Sequence, residues 1–154
     1  MKLKYDKPAF LPTLRALVRC NQSFERFSGA HVRMLGLTPP QFDVIATLGN
    51  TDGMSCKELG EQTLITKGTL TGVLDRLEQR RLIERSEDAT DARRTHIALT
   101  PAGEALFAQV FPAHLAHLER AFSRLSIAEL KQLQTGLAAL HHAFDKSIAV
   151  MNAD

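Results

Sequence analysis

The chain has 154 residues, of which 44% are hydrophobic and 23% charged, and its formal net charge is only +2 at pH 7. That length supports one core with roughly 70% of the unfolded surface removable from water, so a second independent domain is not expected. The composition excludes a disordered chain, no apolar run is long enough to span a bilayer, and Lys2, Lys4, Asp6 and Lys7 interrupt any apolar leader, so a cytoplasmic address with no membrane partner is expected.

Residues 1–8 are polar and end at Pro8, as a loose arm would. From 10 to 35, Leu14, Leu17, Val18, Phe24, Phe27 and Met34 keep helical spacing, with Gly29 a soft point, and predict a long first helix. Gly36 and Leu37 end it. Thr38 is placed to cap a second helix, with Pro39 at its first position and Phe42, Ile45, Ala46 and Leu48 along one face up to Gly49. Residues 50–53 read as a turn. Ser55 then offers an N-cap oxygen to a short helix over 57–62, and Thr63, Leu64 and Ile65 make a tight connection. Thr66 caps the next helix, in which Leu70, Val73, Leu74 and Leu77 form a single apolar stripe. Its opposite face carries Lys67, Gly68, Thr69, Thr71 and Arg76. These are small or hydrogen-bonding groups near a helix N-terminus, where unpaired N–H groups favour phosphate.

Two short extended runs, 82–85 and 95–99, flank the polar segment 86–94 and predict a hairpin tipped with charge. Thr100, Pro101 and Glu104 restart a helix that runs to about 125, and Pro112 inside it removes a backbone donor and predicts a kink. Ser126 caps the last helix, with Glu129 completing a capping box. There Leu130, Leu133, Leu137, Leu140, Phe144, Ile148 and Met151 make a nearly continuous stripe. It holds more apolar surface than one small core needs, and so points to an interface between two copies. Helix, turn, capped helix and basic hairpin occur in the order that a reader of the DNA major groove requires.

The segment 56–100 resembles the winged helix-turn-helix of the MarR family of bacterial transcription regulators, and the similarity of layout extends over nearly the whole chain. The residues that carry it are GLTPPQF from Gly36 to Phe42, KELGEQ from Lys57, TKGTLTGVLDRLE from Thr66, the Asp91-Ala92-Arg93 wing tip, and IALTPAGEAL from Ile97. The resemblance implies a mainly α fold with a small β-hairpin wing. It implies one domain over 1–154, with 37–100 as the DNA-binding region and 1–36 and 101–154 as dimerisation helices. The implied partner is a double-stranded operator, bound by a homodimer that acts by default as a repressor. For a two-fold dimer the operator should be pseudo-palindromic, with half-sites ~10 bp apart. Some relatives bind phenolic or aromatic acids between the dimerisation helices and the winged region, so release by a small-molecule effector is implied as well.

Carried over residue by residue, Thr66 to Thr71 would open the recognition helix, Arg93 would enter the minor groove, and Asp91 would pair with Arg93 and hold it. Ser55, Lys57, Thr66, Lys67, Gly68, Thr69, Thr71, Arg76, Asp91, Arg93 and Arg94 are thus the candidate DNA-contacting set. Phe24, Phe27, His31 and Phe42 are the candidate lining of an effector pocket. This chain departs from the family pattern at two places. Gly72 stands where members often have arginine or another polar residue, and Arg81 stands where glycine usually follows the recognition helix. A left-handed backbone is common there and is best tolerated by glycine. Arg81 therefore has either a positive φ or a different kind of helix ending.

Bulk charge does not add to this reading, because residues 51–100 hold eight basic side chains against nine acidic ones. Duplex binding must then come from local placement of Lys57, Lys67, Arg76, Arg93 and Arg94, with Asp75, Glu78, Glu84 and Glu87 facing away. Weak non-specific affinity follows, since that contribution scales with phosphates neutralised. A winged helix used for protein contact is the alternative that near-neutrality favours.

Cys20 and Cys56, in a reducing compartment, are not a structural disulfide. Alignment through GLTPPQF places Leu14, not Cys20, where peroxide-sensing relatives carry their thiol, which leaves redox sensing as another alternative. His114 with His117, and His141 with His142, have no Cys or carboxylate at the usual short spacing to complete a zinc site, and read as exposed or capping residues. No metal or cofactor is expected. His31 and His96 are suited to binding a ligand or reporting pH. With no Gly-rich phosphate loop, nucleophile elbow or paired-carboxylate motif, the chain does not read as an enzyme.

Overall fold

The computed structural model describes residues 8–63, 65–87, 90–91 and 94–152, in two units that divide after Leu115. The first unit contains α1 (Leu11–Met34), α2 (Pro39–Leu48), β1 (Met54–Ser55), α3 (Cys56–Thr63), α4 (Lys67–Gln79), β2 (Ile83–Glu87), β3 (Thr95–Leu99) and the start of α5 (Pro101–Phe122). The second holds the end of α5 and all of α6 (Ile127–Met151). The strands form one antiparallel sheet in the order β1-β3-β2, which makes the molecule mainly helical with a small wing.

The core of the first unit forms where the predicted stripes converge. Leu70, Val73, Leu74 and Leu77 of α4 are buried with Val44, Ile45 and Leu48 of α2, Leu59 of α3, Ile83 and Ile97 of the sheet, and Phe107 and Val110 of α5. Because the apolar side of α4 is spent on this core, its polar side is left on the surface.

Local signals at the helix ends are largely realised. Thr38 and Gln41 form a capping box on α2, and Ser126 and Glu129 form another on α6. The Ser126 backbone N–H, followed by its hydroxyl, holds the Glu129 carboxyl below the usual range. Helix α3 begins at Cys56, one residue earlier than expected, and its cap is reciprocal. The Glu58 N–H donates to Ser55 Oγ at 3.2 Å and the Ser55 N–H donates to Glu58 Oε2 at 2.8 Å. Thr66 sits at the N-cap of α4 with extended backbone but supplies no side-chain cap. Its hydroxyl donates instead to Thr69 Oγ1 at 3.0 Å, which corrects the capping expectation. Helix α5 continues past Pro112.

The exit from α4 resolves the question raised by Arg81, whose φ is +58°. The Leu82 N–H donates to Leu77 O at 3.0 Å and the Arg81 N–H donates to Glu78 O at 2.8 Å, the paired bonds of a Schellman ending. Gly36, at φ +80°, closes α1 in the same way. A side chain at a left-handed position costs more than glycine's own loss of entropy. Arg81→Gly is therefore expected to raise stability by about 1 kcal/mol, seen as a higher urea midpoint at unchanged slope.

Two features of the sheet depart from expectation. Strand β2 runs to Glu87, with Arg85 opposite Ile97 and Glu87 opposite Thr95, so part of the segment assigned to the tip is ladder. Backbone pairing carries on regardless of the charge on exposed side chains. Strand β1 was not anticipated, since two residues are too few to show alternation; Met54 and Ser55 pair with Ile97 and His96.

In the second unit no α6 residue is buried, and Leu133, Leu137, Phe144 and Ile148 are each about half exposed. No helix among the described residues is long and apolar enough to cross a membrane.

Candidate DNA-binding surface

Thr66, Lys67, Gly68, Thr69, Thr71 and Arg76 all lie on the exposed side of α4. At Gly68 and Gly72 an added Cβ would meet nothing within 4 Å, so no internal packing calls for glycine there. Each lowers helix propensity by about 1 kcal/mol relative to alanine. Around both glycines the exposed side of α4 is free of neighbouring side chains.

The acidic residues of α4 are paired with a residue the sequence reading did not single out. Arg85 of β2 places Nη2 2.7 Å from Asp75 Oδ1 and Nη1 3.0 Å from Glu78 Oε2. One guanidinium thus neutralises two carboxylates that would repel phosphate, and ties the wing to the recognition helix. A signal was present: Arg85 stands two residues from buried Ile83 and so shares its sheet face, where a charge needs partners.

Of the remaining predicted contacts, Ser55 serves as the α3 cap, and Lys57 lies 4.0 Å from Glu61 with both side chains exposed. Arg94 Nε lies 3.7 Å from Asp91 Oδ2, and its N–H donates to Asp91 O at 2.8 Å. Arg93, and with it the expected Asp91–Arg93 pair, lies outside the described residues. Behind the surface, Arg80 Nη1 donates to Gly36 O at 3.2 Å. The Thr100 hydroxyl donates to Arg81 O at 2.6 Å and the Thr100 N–H to Leu82 O at 3.1 Å. These bonds tie the exit of α4 to the end of α1 and to the segment that opens α5.

The candidate effector residues are only partly brought together. His31 and Phe42 both meet His114 of α5, Phe27 is half-buried, and Phe24 is 48% exposed. His114 is itself 4% exposed, which corrects its reading as an exposed or capping residue. The open grooves on and beside α1 are lined by Pro8, Ala9, Leu11, Pro12 and Arg15, and by Gln22, Glu25, Arg26 and Arg33. None of the four effector candidates lines them. His141 lies 3.3 Å from Asp145, and His96 Nε2 lies 2.8 Å from Asp52 O. Cys20 and Cys56 are both free and exposed.

Comparison with known proteins agrees with this geometry. The family model described as MarR family matches residues 35–94. The HTH-type transcriptional regulator MhqR of Bacillus subtilis is 31% identical over 115 residues, covering 75% of this chain and 79% of MhqR. Among solved structures, AbsC, a MarR family regulator from Streptomyces coelicolor, matches with a TM-score of 0.83 at 21% identity, over 93% of this chain and 99% of AbsC. BpsR of Bordetella bronchiseptica, whose DNA binding is regulated by 6-hydroxynicotinic acid, matches with a TM-score of 0.78 at 26% identity, over 89% of this chain and 98% of BpsR. An exposed recognition helix joined to a wing, together with a relative of this identity over most of both lengths, establishes that the chain belongs to the MarR family of winged helix-turn-helix, DNA-binding transcription regulators.

Proposed function

We propose that the chain is a homodimeric repressor of the cytoplasm that binds a pseudo-palindromic operator and is released by a small-molecule effector, without a cofactor. The observation that carries the DNA reading is the exposed side of α4, open at Gly68 and Gly72, with Asp75 and Glu78 already paired to Arg85. In this reading residues 37–100 read the duplex and residues 1–36 and 101–154 make the dimer, as one regulatory domain. The first turns of α4, with Thr66, Lys67, Gly68, Thr69 and Thr71, enter the major groove. Ser55, Lys57, Arg76 and Arg94 meet phosphates that fix the register, and Arg93 enters the minor groove beside Asp91.

The effector is placed at Phe24, Phe27, His31 and Phe42. Its class, an aromatic or phenolic acid, is supported by the ligand that regulates BpsR. Release then needs the ligand to prefer a spacing of the two recognition helices that misses successive grooves, and the loss of DNA affinity equals that preference.

Arg93→Ala tests the reading most directly. Measured by fluorescence anisotropy on the DNA upstream of the chain's own gene, at two salt concentrations and against an unrelated duplex, it should weaken specific binding by about 1 to 3 kcal/mol. Folding and dimerisation should be unaffected. Unchanged affinity would mean that the wing stays outside the groove.

A further inference from the structure

Ser28, His31, Phe42 and His114 form a cluster that the DNA-reading surface does not use. Ser28 and His31 stand one turn apart on α1, Phe42 is on α2 and His114 on α5, so three helices meet at one buried imidazole. Both of its ring nitrogens are engaged: Nε2 lies 3.1 Å from Ser28 Oγ, and Nδ1 lies 3.0 Å from Nδ1 of His31. The two imidazoles stack at 23° with centroids 5.3 Å apart. Phe42 meets His114 edge-on, at 62° and 4.6 Å between centroids.

A hydrogen bond between two Nδ1 atoms contains a single hydrogen, which fixes how many protons the pair can hold. With both rings neutral, the His31 Nδ1–H donates to His114 Nδ1, and the His114 Nε2–H donates to Ser28 Oγ. The opposite assignment, with the Ser28 hydroxyl donating to Nε2, serves equally well. One added proton goes to a nitrogen outside the shared bond, and every hydrogen bond survives. A second added proton fills all four nitrogens. Two N–H groups then face each other across the 3.0 Å gap, and two cations stack where little water reaches His114.

We propose that the His31–His114 pair is a proton-operated clamp, which holds α1 and α2 against α5 with no added proton or one and opens when the second arrives. The pair titrates as a unit, and the second proton is taken up below the ordinary histidine range, because the first cation repels it and burial of His114 disfavours charge. The open form binds that proton more readily than the closed form. Stability therefore falls as pH falls, by up to tenfold in the opening equilibrium per pH unit for one proton.

Opening has a route to the DNA surface. Gly103, early in α5, packs against the Leu82 carbonyl at the exit of the recognition helix. Thr100, just before α5, holds the Arg81 carbonyl. A shift of α5 away from α1 and α2 thus moves the C-terminal end of α4, and acid should weaken DNA binding. This last step rests on the proposed regulator function, whereas the clamp does not.

Ser28 and Phe42, which touch the pair, do not titrate in this range. The ionisable side chains close in sequence on the three helices are Glu25, Arg26 and Arg33 on α1, Asp43 on α2, whose carboxyl is pushed up by burial, and His117 on α5. All five are kept in the variants below, so a difference between variants reports on the pair.

The test uses the full chain. In His31→Gln, the introduced amide can pair with His114 Nδ1 in either protonation state, so a protonated His114 is tolerated. His114→Phe removes the buried titrating group altogether. Urea unfolding is followed from pH 7.5 to 5.0, with imidazole proton–nitrogen NMR correlations to count protons on each ring. The expected result is an acid-induced loss of stability in the wild type that exceeds that of His31→Gln by about tenfold in the unfolding constant per pH unit below the second protonation. The wild-type rings should stay short of full protonation for as long as the fold persists. Equal pH slopes in the wild type and His31→Gln overturn the clamp, as do two fully protonated rings in an otherwise unchanged spectrum. If His114→Phe fails to fold, His31→Gln alone decides. DNA affinity at pH 7.5 and 5.5 is measured in parallel. A stability difference without DNA binding at either pH supports the clamp and counts against the regulator reading alone.

Discussion

Gly103→Ala is expected to destabilise the winged unit by about 1 to 3 kcal/mol, the range for a methyl group forced into a filled space. The new Cβ would run into the carbonyl of Leu82 and come within 3.2 Å of Leu99 Cδ2. Neither end of the Leu82 peptide can easily step aside, because its N–H is donated to Leu77 O and its carbonyl accepts the Thr100 N–H. Helix propensity acts in the opposite direction, since alanine is favoured over glycine in a helix by about 1 kcal/mol. A measured loss therefore understates the collision. Gly72→Ala is the control, because a Cβ there meets nothing within 4 Å. It should raise stability by about 1 kcal/mol, seen as a higher urea midpoint at unchanged slope. If Gly103→Ala proves as stable as the wild type, α5 moves freely against the exit of α4, and the route from the histidine pair to the DNA surface fails with it.

The parts of the fold that could be read from the sequence were those whose signals are local and periodic. Leu70, Val73, Leu74 and Leu77 repeat at helical spacing and are all buried. The Thr38–Gln41 and Ser126–Glu129 boxes need only a hydroxyl, a three-residue step and an amide or carboxylate. At Arg81 the sequence left a positive φ and a different helix ending both open, and the structure has the first, because the chain turns sharply there whichever side chain is present.

What could not be read depends on contacts between distant segments. The Thr66 hydroxyl had two local partners within reach, the backbone N–H groups of the first turn and the Thr69 hydroxyl, and pattern alone does not choose between them. Strand β1 exists only because β3 offers Ile97 and His96 to pair with it. For His114, the step to His117 suggests a surface pair. The more telling steps are those from Phe107 and Val110, which put His114 on the buried side of α5. Its meeting with Ser28 and His31 depends on the path of the chain over more than eighty residues, and no spacing rule reaches that far. Among the candidate DNA contacts, the exposed face of α4 followed from its buried one. The double pairing of Arg85 required the register of β2 as well as the position of Asp75 and Glu78.

Negative charge in the α6 stripe is expected to produce the largest loss of function. Leu133, Leu137, Phe144 and Ile148 lie within about 60° of one another around the helix at 3.6 residues per turn, and each is about half exposed. Leaving such side chains in water forgoes roughly 25 cal/mol for every Å² of apolar area that could be buried. In the proposed dimer a second copy of the same chain would supply a matching face, and a two-fold pair would let one protein hold two operator half-sites. In the double variant Leu137→Glu and Phe144→Glu, association would force buried carboxylates against each other, whereas helix propensity is little changed because glutamate forms helices well. The variant should run as a monomer by gel filtration with light scattering, keep the helical circular dichroism of the wild type, and lose at least about 100-fold in operator affinity, because the second half-site is no longer held by the first. A double variant that stays dimeric would place the interface elsewhere. One that becomes monomeric but binds the operator as tightly as the wild type would show that a single winged unit suffices, which would remove the physical reason to expect a two-fold operator.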